Sequence, residues 1–308
     1  MEISDTRIEF KKLLDEISNP NVALSRIQKC LSDGPRRKIE LHFDEYLLTM
    51  TKDEINFIWN PLDPRTAITS LVAIGNYEVL ETILLKNLSV SAKTIFDVGA
   101  NVGYYSVVLG SQLKKDQYLY AFEPIESSFA QLKRNLKVNN LEDKVKVFNV
   151  ALSDKVETLK FFIPRTSGSS ATSARLLHPE EENRIEEVNC QTLDSFIHTK
   201  KIDSCDLLKI DVEGAELQVL NGAILTIDRF KPIIFTELLR KWSAVYGYHP
   251  NDVIKLLREL NFHCFSVNTS LTEIFEVNEQ TIETNFIFVH ESKVRNFQSM
   301  RIHLEMSA

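Results

Sequence analysis

Cysteine is scarce in this chain and widely scattered. Four cysteines occur in 308 residues, at Cys30, Cys190, Cys205 and Cys264. No Cys-x-x-Cys pair is present, which excludes a thiolate zinc site and the disulfide framework of a small secreted domain. The four read as separate, reduced thiols, and the cytoplasm is the expected compartment. No run of about 18 apolar residues occurs, so no membrane span is expected. The opening residues Met1 to Thr6 lack the basic-then-apolar pattern of a secretory signal. An excess of positive charge is missing as well. Lys and Arg number 36 against 43 Asp and Glu, a net charge of −7, which argues against nucleic acid as a partner. Repeats and low-complexity tracts are absent. What remains is ordinary globular composition, 44% hydrophobic and 26% charged, at a length that suits one large domain with or without an extension.

Phe10, Leu13, Leu14 and Ile17 keep helical spacing up to Asn19 and Pro20, so residues 1 to about 32 are expected to be helical. Gly34 to Lys38 reads as a basic, solvated turn. Ile39, Leu41 and Phe43 then alternate with polar residues, as do Ile55, Phe57 and Trp59 beyond Thr51–Asp53, which predicts a β-hairpin. A helical period returns from Tyr77 to Leu88. From Thr94 strands and helices alternate. Strands are expected at 94–98, 118–123, 145–151, 207–211, 232–237, 262–267 and 285–290, with helices near 103–113, 126–139, 214–228 and 250–260. Such alternation implies a mostly parallel sheet covered on both faces, whose ligands bind beyond the carboxyl ends of the strands. Asp97, Glu123, Asp211 and Glu237 all fall at those ends. One segment breaks the rhythm: Phe161–Pro164 and Glu187–Gln191 read as strands joined by a long polar loop, a feature that is commonly functional or disordered. The expected division is an N-terminal helical and hairpin extension over 1–75, a main domain over 76–291 and a tail over 292–308.

The densest signal is the run Asp97-Val-Gly-Ala-Asn-Val-Gly-Tyr-Tyr-Ser106, where a strand enters a glycine-flanked turn and then a helix. Gly99 and Gly103 permit a tight turn and close backbone approach, and the helix after them opens with unpaired N–H groups. Glu123, twenty residues beyond Gly103 at the tip of the next strand, suits the hydroxyls of a ribose. A dinucleotide site wants G-x-G-x-x-G; Asn101 and Tyr104 stand at two of those positions, although Asn tolerates left-handed angles. Asp97 would repel a pyrophosphate but suits an ammonium. The element therefore fits S-adenosylmethionine (SAM) better than NAD.

Five motifs occur in order: Asp97 to Ser106, Ala121-Phe-Glu-Pro124, Asn149-Val-Ala-Leu-Ser-Asp154, Thr192-Leu-Asp194 and Lys209-Ile-Asp-Val-Glu-Gly-Ala-Glu216. Together, over roughly residues 75–270, they resemble the FkbM family of SAM-dependent methyltransferases. The resemblance implies an α/β fold of the class I methyltransferase (Rossmann-like) type: a seven-stranded, mostly parallel sheet with the seventh strand antiparallel beside the fifth. It also implies that Gly99, Asn101 and Gly103 line the methionine half of SAM with Asp97 near its ammonium. Glu123, followed by Pro124, would hold the ribose. Ala151 and Leu152 would flank the adenine, and Asp211 would lie beside the methyl group. Tyr77 and Glu78 resemble an upstream pair that reaches the cofactor. Members of the family methylate hydroxyl groups, often on sugars of bacterial surface polysaccharides and glycolipids, and sometimes on natural products. The Asn/Asp-Pro-Pro-Tyr/Phe motif of many amino-group methyltransferases is absent after the fourth strand, which favours oxygen as acceptor. The implied activity is O-methylation of a saccharide, whether surface polysaccharide, glycolipid or nucleotide sugar. A natural product or lipid acceptor, or a non-catalytic SAM-binding module, are the alternatives.

A sugar hydroxyl needs help to lose its proton. The candidate bases are Asp211, Glu213, Glu216, Glu237 and His249. Glu216 equally reads as a first-turn acid suited to the helix dipole, Glu213 as a cap, and His249, before Pro250, as a cap or surface residue. Asp211 and Glu237 lie at adjacent strand ends and are candidates to share Mg²⁺, although the amide that catechol-type enzymes place beside the second acid is Leu238 here. Lys209, in mid-strand, is expected to be paired and structural, and Tyr104 and Tyr105 to pack. The sequence leaves open a homodimer, and whether the N-terminal extension covers the acceptor site.

Overall fold

The structure, a computed structural model, describes residues 37–42, 45–50, 54–59, 66–74, 77–164, 172–173, 183–268, 273–277 and 284–299. The helix expected over residues 1–32, Arg36 and most of the polar loop after Pro164 lie outside the described residues. Three antiparallel strands come first, in the order β1 (Arg37–His42), β2 (Glu45–Met50) and β3 (Ile55–Trp59). The two runs expected to pair as a hairpin fall in β1 and β3, but they do not pair with each other: the additional strand β2 lies between them and pairs with both. Arg37 and Lys38, read as part of a turn, belong to β1 and pair with Met50 and Thr49. Helices α1 (Ala67–Ile74) and α2 (Val79–Ser89) follow.

From Thr94 the chain runs β4 (Thr94–Val98), α3 (Tyr104–Gln112), β5 (Tyr118–Phe122), α4 (Glu126–Val138), β6 (Val145–Phe148), β7 (Ala151–Leu152), β8 (Glu157–Pro164), β9 (Thr172–Ser173), β10 (Asn183–Gln191) and α5 (Leu193–Lys200). It continues through β11 (Leu207–Ile210), α6 (Glu216–Asn221), α7 (Ile224–Phe230), β12 (Ile233–Glu237), α8 (Arg240–Ser243), a 3-10 turn (Ala244–Tyr246) and α9 (Pro250–Glu259). The last elements are β13 (Phe262–Asn268), β14 (Glu273–Glu276), β15 (Asn285–His290) and α10 (Glu291–Ser299).

The central sheet has the order β14-β13-β15-β12-β11-β4-β5-β6. Strands β6, β5, β4, β11 and β12 are mutually parallel, and β15 runs antiparallel between β12 and β13. This is the expected Rossmann-like methyltransferase arrangement, with β14 added as an eighth strand at one edge. Its strands are mostly apolar because both faces are covered. Ile95, Leu119, Ile287 and Val289 belong to one buried cluster, and Phe96, Leu208, Ile234 and Phe288 to another. Ile55, Phe57, Trp59, Ile68 and Leu71 belong to the first of these clusters, so the segment from β3 onward shares the core of the main domain.

The outer edge of β3 is closed by side chains rather than by a strand. Asn139 Oδ1 accepts from Asn56 N at 2.8 Å, and its Nδ2 donates to Asn56 O at 2.6 Å. Asn135 Oδ1 accepts from Ile58 N at 2.8 Å, and Gln131 Nε2 donates to Ile58 O at 2.8 Å. These amides satisfy backbone groups that an unpaired edge leaves open.

Two expected elements are broken in the structure. The strand read over 145–151 ends at Phe148. Asn149 Nδ2 there donates to the carbonyls of Glu123 and Pro124, both at 3.0 Å, and Ala151–Leu152 join a second sheet of order β7-β10-β8-β9. The helix read over 214–228 splits into α6 and α7. A Cβ on Gly222 would run into the Ser153 carbonyl, and Asp194 caps the restarted helix by accepting from Leu225 N and Thr226 N at 3.1 and 2.8 Å. The tail includes α10, with Phe297 buried beside Phe265 at a ring separation of 5.3 Å. Cys190, Cys205 and Cys264 are free and buried. Among the described residues no helix is long and apolar enough to cross a membrane.

Candidate functional site

The turn between β4 and α3 has left-handed backbone at three positions: Gly99 (φ +77°), Asn101 (φ +50°) and Gly103 (φ +89°). The glycines serve close protein packing. A Cβ on Gly99 would collide with the Asp211 carbonyl oxygen, and one on Gly103 with Leu132 Cδ1. Gly99 thus lets the ends of β4 and β11 approach. Glu123 clamps the same turn from the end of β5. Its Oε2 accepts from Asn101 N at 2.8 Å and its Oε1 from Ile125 N at 2.9 Å. Burial pushes the Glu123 carboxyl up to about 7, against the downward pull of those two N–H groups.

Behind the turn lies a buried charge network. Lys209 Nζ sits 3.1 Å from Asp97 Oδ1 and 3.5 Å from Asp211 Oδ2. Its ammonium also lies 5.0 Å from the centre of the Tyr105 ring. Burial alone would lower the lysine's pKa, but Asp97 and Asp211 outweigh it and hold the group charged. Ser106 Oγ donates to Asp97 Oδ2 at 2.7 Å. Asp97 is 0% exposed. The expectation that it meets a ligand's ammonium is therefore corrected: its charge is already matched by Lys209 and its carboxylate does not reach the cleft. Lys209 has the paired role expected of it.

The remaining acids divide. Asp211, with 35% of its side chain exposed, and Glu213 line the cleft. Glu216 is neither a solvated first-turn acid nor an available base. It is 3% exposed, with Oε1 accepting from Gly214 N at 2.9 Å and Oε2 from the Tyr248 hydroxyl at 2.9 Å. His249 is the N-cap of α9: its Nδ1 lies 3.1 Å from Asn251 N, and Asp252 accepts from its backbone N–H at 2.8 Å. Its Nε2 lies 2.8 Å from Arg240 Nε. A neutral ring has one bare nitrogen and two donors here compete for it, so the catalytic role considered for His249 is replaced by capping.

Glu237, at the end of β12, is partly buried. Burial first, then the carboxylates of Asp211, Glu78 and Glu216, push its pKa up to about 7, while Lys241 pulls it down. Glu78 keeps solvent access although protein atoms crowd its carboxyl, and its pKa is raised by that desolvation. It sits in left-handed backbone (φ +40°) before α2, and its Oε2 accepts from the Tyr105 hydroxyl at 2.6 Å. The half-buried Tyr77 ring meets Tyr104 edge-on at 5.0 Å. Tyr104 and Tyr105 are buried packing residues as expected. Their hydroxyls also tie the Tyr77–Glu78 pair to α3, with Tyr104 Oη donating to Tyr77 O at 3.4 Å.

A cleft of about 670 Å³, open to solvent, runs past these strand ends. Of the expected residues it is lined by Gly99, Asn101, Glu123, Pro124, Ala151, Leu152, Asp211 and Glu213. Val98, Phe122, Ile125, Val150, Phe161, Val212, Ala215 and Tyr246 complete it. Phe161 arrives from β8 in the second sheet, and no local pattern marked it as a site residue. The lining suits a nucleoside with a cationic substituent: an apolar slot, a buried acid at a strand tip, and Asn101 Oδ1, which is buried with no hydrogen-bond partner. Mg²⁺ fits less well. Among the described residues no three His, Cys, Asp or Glu side chains gather as a metal set. Asp211 already has the Lys209 ammonium 3.5 Å away, and Leu238 is a buried apolar residue. Magnesium prefers a shell of oxygens, so the expected Asp211–Glu237 metal site is not supported.

Comparison with known proteins agrees with this arrangement. Methyltransferase sdnD of Sordaria araneosa is 30% identical over 159 residues, covering 42% of this chain and 59% of its own. Hexuronic acid methyltransferase AglP of Haloferax volcanii is 23% identical over 214 residues, 70% of this chain and 77% of its own. 2-O-methyltransferase NoeI of Sinorhizobium fredii is 27% identical over 157 residues, 46% of this chain and 62% of its own. The chain thus spans less than two thirds of the length of sdnD and NoeI. A solved FkbM methyltransferase from Methylobacillus flagellatus superposes with a TM-score of 0.41 at 16% identity, over 64% of this chain and 43% of that one. The model of the methyltransferase FkbM domain matches residues 97–264, more than half of the 308, from the acid before the glycine turn to strand β13, and the chain belongs to that family.

Proposed function

We propose that the protein is a SAM-dependent O-methyltransferase whose acceptor is a saccharide hydroxyl. The observation that carries the donor is the lining of the cleft: among the described residues it holds Glu123, Asp211 and Glu213 and no Lys, Arg or His. A pyrophosphate would be repelled there, whereas a ligand with a sulfonium and an ammonium is attracted. Glu123 would take the ribose hydroxyls, Gly99, Asn101 and Gly103 the methionine half, and Pro124, Ala151 and Leu152 the base. Asp211, more exposed than Asp97, replaces it as the partner of the ammonium. Tyr77 and Glu78 would reach the cofactor from the segment before α2.

Bound SAM supplies an electrophilic methyl group on a sulfonium sulfur. The chain's part is to bring an acceptor oxygen in line with it and to take the proton. Positioning of this kind lowers barriers by about 7–11 kcal/mol. Glu237, with a pKa of about 7, is half ionised at neutral pH and is assigned as the base. With SAM bound, an acceptor oxygen would take the methyl group from the sulfonium, leaving a neutral thioether, and Glu237 would receive the hydroxyl proton. Asp211, 3.5 Å from the Lys209 ammonium, is assigned as a charge partner rather than as the proton acceptor.

Oxygen as acceptor is supported by the absence of an Asn/Asp-Pro-Pro motif after β11, where Asp211-Val-Glu-Gly214 stands. A saccharide is supported by the relative AglP, which by name methylates a hexuronic acid. The acidic cleft disfavours nucleic acid. Titration calorimetry with SAM tests the donor: a folded protein that does not bind it refutes this reading. Labelled SAM offered with nucleotide sugars, glycans and small alcohols tests the acceptor. Transfer only to non-saccharide alcohols would move the reading to a natural product or lipid.

A further inference from the structure

Gln131 and Asn135 in α4 and Asn139, its C-cap, stand at successive i+4 positions and form one row along its surface. Gln131 and Asn139 face β3 alone across the helix boundary, through Ile58 O and the Asn56 backbone respectively. Asn135 serves two elements. Its Oδ1 accepts from Ile58 N at 2.8 Å, while its Nδ2 donates to Val102 O at 2.7 Å. The side chain is 0% exposed. Val102 lies inside the glycine turn, between Asn101, whose N–H is held by Glu123 at 2.8 Å, and Gly103. One buried carboxamide therefore joins the N-terminal three-stranded sheet to the turn assigned above to the donor.

A carboxamide is planar, so its acceptor and donor cannot be re-aimed independently. If β3 shifts, Oδ1 loses Ile58 or the whole plane rotates away from Val102. If the turn reorganises, the reverse follows. Water cannot rescue either partner at a fully buried site, which makes the two arrangements rise and fall together.

We infer that Asn135 is a positioning residue for the donor site, through which docking of β3 and ordering of the 99–103 turn are a single coupled event. The inference rests on the reading of the turn as the SAM site. Coupling between sites is reciprocal: a ligand that orders the turn tightens β3, and loss of the Asn135 donor weakens the ligand. Asn139 contacts the same strand without touching the turn, so it separates coupling from ordinary support of β3.

The test uses the full-length chain with SAM as the probe. Hydrogen exchange of residues 55–59 is followed with and without saturating SAM, and SAM affinity is measured for the wild type, Asn135→Asp, Asn135→Leu and Asn139→Leu, each with its melting temperature. Asn135→Asp keeps an oxygen for Ile58 and removes the donor to Val102. The expected results are slower exchange at 55–59 with SAM in the wild type and loss of that effect in both Asn135 variants. Their SAM Kd should rise about tenfold, within the usual 5–150-fold range of such couplings. Asn139→Leu should stay within about twofold in Kd even where its stability falls as far. Unchanged wild-type exchange at 55–59, wild-type affinity in Asn135→Asp, or equal weakening by Asn139→Leu overturns the inference. If the Asn135 variants do not fold, the wild-type exchange comparison decides alone. A wild type that binds no SAM fails the donor reading instead, and the titration shows that first.

Discussion

Lys209 holds its ammonium 3.1 Å from the Asp97 carboxylate, and neither side chain is more than 3% exposed. The pair lies buried behind the glycine turn, and Asp211, which lines the cleft, extends the network to it at 3.5 Å. Removing one member of a buried pair leaves an uncompensated charge and destabilises by about 3–5 kcal/mol. Lys209→Met should lower stability by that order in a urea titration. Asp97→Asn combined with Lys209→Met should recover much of the loss, because no buried charge then lacks a partner. Equal losses in the single and double variants would show that the lysine acts through packing on Tyr105 rather than through charge.

Glu237 makes the rate a function of pH. A base must be ionised, and a carboxyl raised to about 7 is ionised only above that value, so kcat/KM should climb with pH through about 7 and then level. Bound positive charge favours the carboxylate, so the midpoint in kcat should lie below that in kcat/KM. Glu237→Gln should remove this rise and lower kcat on the order of 10²–10⁴-fold, with SAM affinity little changed. A Gln variant that keeps the wild-type profile would assign the base to another residue.

The raised pKa of Glu123 also predicts how stability depends on pH. Between its ordinary value of 4.5 and its folded value of about 7, the folded chain keeps a proton that the unfolded chain has lost. Folding stability therefore falls as pH rises through this window, on the order of 3 kcal/mol for this residue. Glu237 acts in the same direction to a smaller, solvent-screened extent. Thermal melts from pH 4.5 to pH 8 should show the decline, and Glu123→Gln should flatten it. Stability that rises across the window in the wild type would contradict the assignment.

The central sheet was legible because its strands are buried on both faces and carry continuous apolar runs, such as Ile95-Phe96 and Leu207-Leu208. The acids at the carboxyl ends stood out for the same reason, as charges where an apolar run stops. What pairs with what was not legible. Asp97 and Lys209 are 112 positions apart, and nothing local tells an acid that meets a ligand from one that meets a lysine beneath it. Glu216 had the pattern of an exposed first-turn acid, and only the fold brings Tyr248 and the Gly214 N–H to it. The breaks in 145–151 and 214–228 were hidden likewise, since the Asn149 amide bonds and the packing of Gly222 on Ser153 are tertiary contacts. A three-residue alternation marked β3 but could not show that Asn135 and Asn139 would close its free edge.

Gly214 and Gly247 separate backbone conformation from space. Both have positive φ, +106° and +75°. A Cβ on Gly214 would lie 2.6 Å from the Trp242 carbonyl oxygen and 2.8 Å from its carbon, whereas one on Gly247 meets nothing within 4 Å. Gly247→Ala should therefore lose only the left-handed penalty, about 1–2 kcal/mol. Gly214→Ala adds a collision with backbone, which the chain relieves by moving the 211–216 turn or α8. Because that turn carries Asp211, the assigned partner of the ammonium of SAM, and is pinned by Glu216, its displacement should raise the KM and Kd for SAM as well as lower kcat. Chemical denaturation and steady-state kinetics on the two alanine variants distinguish these effects. Similar kinetic losses in both would mean that the left-handed conformation itself, and not the closeness of Gly214 to Trp242, sets the geometry of the turn.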